Sequence, residues 1–183
     1  MGCNSSIQVG LENINQKPIS VSLVGLPNAG KTSIIEYLAG EYNINDPPIH
    51  TNGILLRDLS IHNILYRIFD IGGNGASVND IKDSINNSQA VIFVFDQLTF
   101  EYNVSANKEM VKNCSPCIKD KKLPVVVIIN KVNESNPQSS DDQIEKFVES
   151  FLGSETLVHF SKMGRINDEV FSVFQWIYNN VQQ

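Results

Sequence analysis

Eight consecutive residues, Gly25-Leu26-Pro27-Asn28-Ala29-Gly30-Lys31-Thr32, constrain this chain more than any other stretch. They fit G-x-x-x-x-G-K-[ST]. An apolar run, Ile19 to Val24, precedes them, and a segment of helical period, Lys31 to Ala39, follows and ends at Gly40. Strand, glycine-bearing turn and helix N-terminus in that order form a cradle of backbone N–H groups carrying partial positive charge, which suits a bound phosphate. The expected donors run from Asn28 and Ala29 through Gly30 and Lys31 to Thr32 and Ser33. Pro27 has no N–H, but it lies too early in the loop to interrupt them. Lys31 is placed to reach the β- and γ-phosphates of a nucleoside triphosphate, and the Thr32 hydroxyl to ligate Mg²⁺.

The remaining apolar patterns say what the cradle is built into. Ile54 to Leu59 and Ile64 to Phe69 read as a strand pair joined by Ser60-Ile61-His62-Asn63. Val91 to Phe95 and Val125 to Ile129 are short continuous β-branched or aromatic runs, the pattern of strands buried on both faces. Helices are expected over Glu101 to Lys112, Asp141 to Leu152 and Asp168 to Val181, the last two with apolar stripes Ile144, Phe147, Val148, Phe151 and Val170, Phe171, Phe174, Ile177. Strands alternating with helices predict an α/β three-layer P-loop fold: a six-stranded, mostly parallel sheet flanked by about five helices. Residues 1–18 read as a polar leader and 19–183 as a single domain, with Ser135 to Ser140 a polar loop.

Charge and cysteine content narrow the function. With 14 Lys+Arg against 20 Asp+Glu the formal net charge is -6, which disfavours nucleic acid as a partner. Cys3, Cys114 and Cys117 are too few for a disulfide framework, and without a secretory signal the expected compartment is the reducing cytoplasm. Cys114 and Cys117 form C-x-x-C, but a structural zinc site wants four ligands, so they read as half-buried residues just past the helix ending near Lys112. His50, His62 and His159 have no evident partner in the sequence and receive no catalytic role.

Asp70-Ile71-Gly72-Gly73 closes an apolar strand, which suits a carboxylate holding Mg²⁺ through water, with Gly73 allowing the backbone to approach a γ-phosphate closely. Phe69-Asp70-Ile71-Gly72-Gly73 resembles the double-glycine motif of Arf-like proteins and Gα subunits rather than the D-T-A-G of other Ras-superfamily branches. Counting back 19 positions from Asp70 reaches Thr51, the Arf-like spacing for the switch I threonine that ligands Mg²⁺, and Gly53 completes its T-x-G. On these residues the chain is similar, over nearly its whole length, to a small GTPase of the Ras superfamily, closest to the Arf-like branch. A P-loop kinase has no place for the T-x-G or for the strand ending N-K-x-N.

That resemblance implies roles for several residues. Lys31, Thr51 and Gly73 would stabilise the transferring phosphate, and Asn74 occupies the position of the glutamine that orients the attacking water. Asn130-Lys131-Val132-Asn133 stands for the base-reading N-K-x-D, with Asn133 in place of aspartate. Ser161 and Lys162 in Phe160-Ser161-Lys162 stand for the last guanine-contacting motif, S-A-K. GTP or GDP with Mg²⁺ is the implied ligand. Effectors, exchange factors and GTPase-activating proteins are the implied partners of a monomer. The substitutions at 74 and 133 keep a second reading open, a pseudo-GTPase acting as a nucleotide-locked or weakly binding membrane interaction module. Met1-Gly2-Cys3-Asn4-Ser5-Ser6 fits the N-myristoylation signal at Gly2. One myristoyl chain binds membranes only marginally, so Cys3, beside it, is the expected palmitoylated second anchor, with Ile7, Leu11 and Ile14 at helical spacing behind it. The expected location is peripheral, on the cytosolic face of membranes.

Overall fold

Hydrophobic runs four to eight residues long bury best as strands covered on both faces, and the structure uses them so. It is a computed structural model that describes residues 17–73, 75–131, 139–164 and 166–181, with backbone alone for 139–141. In chain order the elements are β1 (Ile19–Val24), α1 (Lys31–Ala39), β2 (Ile54–Ile61), β3 (Ile64–Ile71), α2 (Val78–Asn86), β4 (Ala90–Asp96), α3 (Val104–Lys121), β5 (Val125–Asn130), α4 (Ser139–Leu152), β6 (Val158–Met163) and α5 (Glu169–Val181). Two short 3₁₀ turns join β4 to α3. The sheet order is β2-β3-β1-β4-β5-β6, and only β2 runs antiparallel to its neighbour.

Alternation along the strands splits the core in two. Val21, Leu23, Ile92, Val94, Val126 and Ile128 face α1 and α5, where Ile34, Ile35, Phe174 and Ile177 cover them. Val24, Val91, Phe93, Phe95, Val127 and Ile129 face the other way, onto Ile85 of α2, Val111 and Ile118 of α3, and Ile144 and Val148 of α4. Every residue of β5 and all of β4 except Asp96 are buried. Each such aliphatic side chain contributes ~1.5–3 kcal/mol by leaving water, so a continuous apolar run here is a requirement of the two-sided cover.

The expected fold class is the observed one, with four local differences. The β2–β3 connection is two residues, not four, because His62 and Asn63 both take positive φ (50° and 63°), the twist that lets a two-residue turn follow the strands. Helix α2 has no counterpart among the expected elements; Ser77 and Asp80 form its capping box. Helix α3 begins after Glu101 and runs nine residues past Lys112, so Cys114 and Cys117 lie inside it. Val111, Cys114, Ser115 and Ile118 keep a buried stripe going, while Pro116 and Lys112 are exposed, leaving the carbonyl that loses its partner on the water side. Strand β6 does not end at His159, as the sequence reading has it, but runs on to Met163, with consequences below. Burial pushes the Cys114 thiol up to about 12, so it behaves as a small apolar group. Among the described residues no helix is long and apolar enough to cross a membrane.

Candidate functional site

The sheet order reverses around β1, and in open α/β sheets the crevice at the strands' carboxyl ends beside such a reversal takes ligands. The loop after β1 enters that crevice. Gly30, with φ 98°, caps α1 in a conformation that side-chain-bearing residues avoid, and a Cβ there would strike the Asn130 amide. No side chain caps the helix, and Gly30, Lys31, Thr32 and Ser33 line a cavity of about 380 Å³ with Pro27, Asn28, Thr51 and Gly73.

Three sequence-distant residues meet on its floor. The Thr32 hydroxyl donates to Asp70 Oδ2 at 2.8 Å and lies 2.9 Å from the Thr51 hydroxyl, which itself donates to the same oxygen at 3.2 Å. Asp70 is fully buried, and among the described residues its Oδ1 has no hydrogen-bond partner. A buried carboxylate oxygen left unpaired is costly, and beside two hydroxyls it is an arrangement that suits a hard cation with oxygen ligands. Gly72 N–H donates to the Gly53 carbonyl at 2.8 Å, tying the Thr51 segment to the one that follows β3. A Cβ at Gly73 would run into the nitrogen and ring of Pro27, so only glycine lets this backbone close on the phosphate loop.

Lys31, the first residue of α1, is 5% exposed. Its Nζ donates to the carbonyls of Gly25 (2.8 Å) and Leu26 (3.0 Å). Burial lowers its pKa to about 8 against the smaller, opposite pull of Asp70. The side chain is thus a desolvated cation held over the loop, poised for an anion that would restore its preference for the charged form.

A second cavity, about 330 Å³, shares Gly30, Ser33 and Lys131 with the first and is completed by Tyr42, Ile44, Asn130, Gly164 and Ile166. The buried Asn130 amide donates to the Ala29 carbonyl at 2.8 Å. Lys131, at φ 58°, donates to the Asn28 carbonyl (2.7 Å) and pairs with Asp96 at the end of β4 (2.8 Å). Here one expectation is corrected. Ser161 and Lys162 do not reach this cavity: they pair with Ile128 and Ile129 inside the β5–β6 ladder, and Lys162 bridges to Glu145 of α4. Met163 stands opposite Asn130, so the chain reaches the crevice two residues later, at Gly164. Asn74, Asn133, Gly2 and Cys3 lie outside the described residues.

Sequence reasoning did not single out Asp96, Tyr42, Ile44, Gly164 or Ile166. Asp96 had a signal, a carboxylate closing a buried strand as Asp70 does; the others come from loops with no pattern of their own.

The profile of the ADP-ribosylation factor family matches residues 6–181. The ADP-ribosylation factor-like protein alp41 of Schizosaccharomyces pombe (strain 972 / ATCC 24843) is 25% identical over 177 residues, 94% of this chain and 91% of that protein. The ADP-ribosylation factor-like protein 6 of Caenorhabditis elegans is 25% identical over 148 residues, 78% of this chain and 75% of that one. The solved structure of the Arl6 BBS3 small GTPase from Trypanosoma brucei, with bound nucleotide analogue GppNp, superposes with a TM-score of 0.73. It covers 91% of this chain and 98% of that one at 18% identity, a likeness of fold. With motif, cleft and profile in agreement over almost the full length, the chain belongs to the ADP-ribosylation factor family, among its Arf-like small GTPases.

Proposed function

We propose that this protein is a membrane-associated guanine-nucleotide switch that binds GTP with Mg²⁺ and hydrolyses it slowly. The observation that carries the reading is the meeting of Thr32 and Thr51 on Asp70 Oδ2, beside that carboxylate's buried and unpaired Oδ1, at the phosphate end of a two-part cleft. Thr32 and Thr51 would hold Mg²⁺ directly and Asp70 through water. The ion would neutralise charge on the β- and γ-phosphates.

The chain's own groups do the rest. Lys31 gives up two carbonyl contacts for phosphate oxygens, keeping its proton because the anion favours the charged form. The Gly73 N–H, on backbone that closes against Pro27, serves as donor to the γ-phosphate. With Thr51 bound, the link from Gly72 to Gly53 couples both segments to the presence of that phosphate. Loss of the phosphate releases them, changing the surface offered to effectors; exchange factors and GTPase-activating proteins would reset the cycle. Asn74 is one methylene shorter than the glutamine of the resembling family, which supports slow turnover. Gly2 and Cys3 supply the lipid anchors, on the cytosolic face of a membrane.

Titration of the purified, nucleotide-stripped protein with fluorescent mant-GDP tests the reading. Saturable binding that weakens sharply when EDTA removes Mg²⁺ is expected; no binding, or binding indifferent to EDTA, overturns it.

A further inference from the structure

The two cavities of the cleft have different chemistry and share three residues, Gly30, Ser33 and Lys131, of which only Lys131 carries a charge. Its backbone sits at φ 58°, a region that residues with side chains leave unless surrounding contacts hold them there. Two contacts do so: Nζ donates to the Asn28 carbonyl of the phosphate loop at 2.7 Å and to Asp96 Oδ2 at 2.8 Å. The Asp96 side chain is 10% exposed and that of Lys131 is 38% exposed, so the carboxylate is the fixed member of the pair and the lysine the one that reaches to it. Asp96 is in turn held by the Leu98 N–H, which donates to its other oxygen, Oδ1, at 2.9 Å.

We infer that Asp96 is a positioning residue for the nucleoside end of the cleft. By fixing Lys131 in its left-handed conformation it keeps the lysine in the lining that the two cavities share. It thereby joins three strand ends: the loop after β1 through Asn28, the end of β4 through Asp96, and the end of β5 through Lys131. A charge-assisted bond of this length, on a carboxylate mostly withdrawn from water, is less screened by solvent than the exposed Arg67–Asp58 pair on the β2–β3 ribbon, where both side chains are more than 40% exposed. The inference rests on the nucleotide reading above and adds a residue to it.

Asp96→Asn separates this role from a structural one. The asparagine oxygen still accepts from the Leu98 N–H, so the turn after β4 stays capped, while its NH₂ faces the Lys131 ammonium, donor against donor. The affinities to compare are those for mant-GDP, which needs both cavities, and for inorganic tripolyphosphate, which needs only the phosphate end, measured with Mg²⁺ on wild type, Asp96→Asn, Lys131→Met and the double variant. Asp96→Asn is expected to weaken mant-GDP by about tenfold, the loss of one charge-assisted bond, and tripolyphosphate by less than about twofold. In the Lys131→Met background the Asp96→Asn change should have no further effect, as coupled groups require. Equal weakening of both ligands, an undiminished effect in the Lys131→Met background, or unchanged mant-GDP affinity overturns the inference. A wild type that binds tripolyphosphate but not mant-GDP removes the nucleotide reading and this inference together, so the two failures are told apart by the wild-type lane alone.

Discussion

Replacing Lys31 by methionine keeps a straight apolar stem and removes the buried cation. In the nucleotide-free protein that cation is a burden: its pKa falls from 10.5 to about 8 on folding, chiefly through burial, which corresponds to about 3 kcal/mol of lost stability at neutral pH. Against this, Lys31→Met leaves the Gly25 and Leu26 carbonyls without their donor, at a cost of ~1–3 kcal/mol. The two effects nearly cancel, so urea unfolding at pH 7 should place the variant within about 2 kcal/mol of wild type. The pH dependence then isolates the charge. Between pH 8 and 10.5 the unfolded wild-type chain still holds a proton that the folded one has released, so wild-type stability rises across that window. Methionine titrates nowhere. The difference between the two proteins should therefore move by about 2–3 kcal/mol in favour of wild type between pH 7 and pH 10. Nucleotide affinity behaves oppositely: at pH 7 the variant should lose ~10²-fold or more, and wild-type affinity should decline above pH 8 because binding then requires taking up a proton. A variant more than about 3 kcal/mol less stable at pH 7, or a stability difference flat from pH 7 to 10, would refute the assignment of Lys31 as a desolvated cation awaiting an anion.

Further expectations follow from the sequence around the cleft. Gly2→Ala should leave the protein in the soluble fraction of lysed cells and Cys3→Ser should leave only weak, reversible attachment, read by membrane pelleting; full pelleting of Gly2→Ala would contradict the lipid anchor. Asn74→Gln should raise single-turnover phosphate release, because a water misplaced by about 1 Å can cost on the order of 10²-fold; a fast wild type or an unresponsive variant argues the other way. Asn133→Asp should sharpen selectivity for GTP over XTP by about 10- to 100-fold in competition binding, since an amide offers guanine one acceptor where a carboxylate offers two; exclusion of XTP by the wild type would contradict it.

The parts of this molecule that could be read from residues alone are those that depend on local geometry. The strand, turn and helix around Gly25 to Thr32 follow from covalent and hydrogen-bonding requirements within one short segment, and β1 and α1 end where expected. The convergence of Thr51 and Asp70 was legible only through the Arf-like spacing, and the structure brings both to Thr32. Where long-range packing decides, the sequence was silent or misleading. Helix α3 passes through Pro116 because its buried stripe outweighs one lost backbone bond at the surface. Helix α2 is strongly polar, and the useful signal was the Ser77-x-x-Asp80 cap followed by Ile81 and Ile85. The misplacement of Ser161 and Lys162 came from β6 running to Met163: in a parallel ladder, where a strand stops decides which residues reach the crevice. Tyr42, Ile44 and Ile166 line the second cavity from separate loops, and no spacing rule joins them.

The switch requires a guanine nucleotide in this cleft. Protein purified rapidly in Mg²⁺-containing buffer, denatured and analysed by chromatography of the released small molecules, tests it most directly. GDP or GTP is expected in an amount approaching one per chain, and is expected to be lost in Lys31→Met. Protein that releases no nucleotide and takes up none when GDP and Mg²⁺ are supplied, or that releases an adenine nucleotide instead, would contradict it.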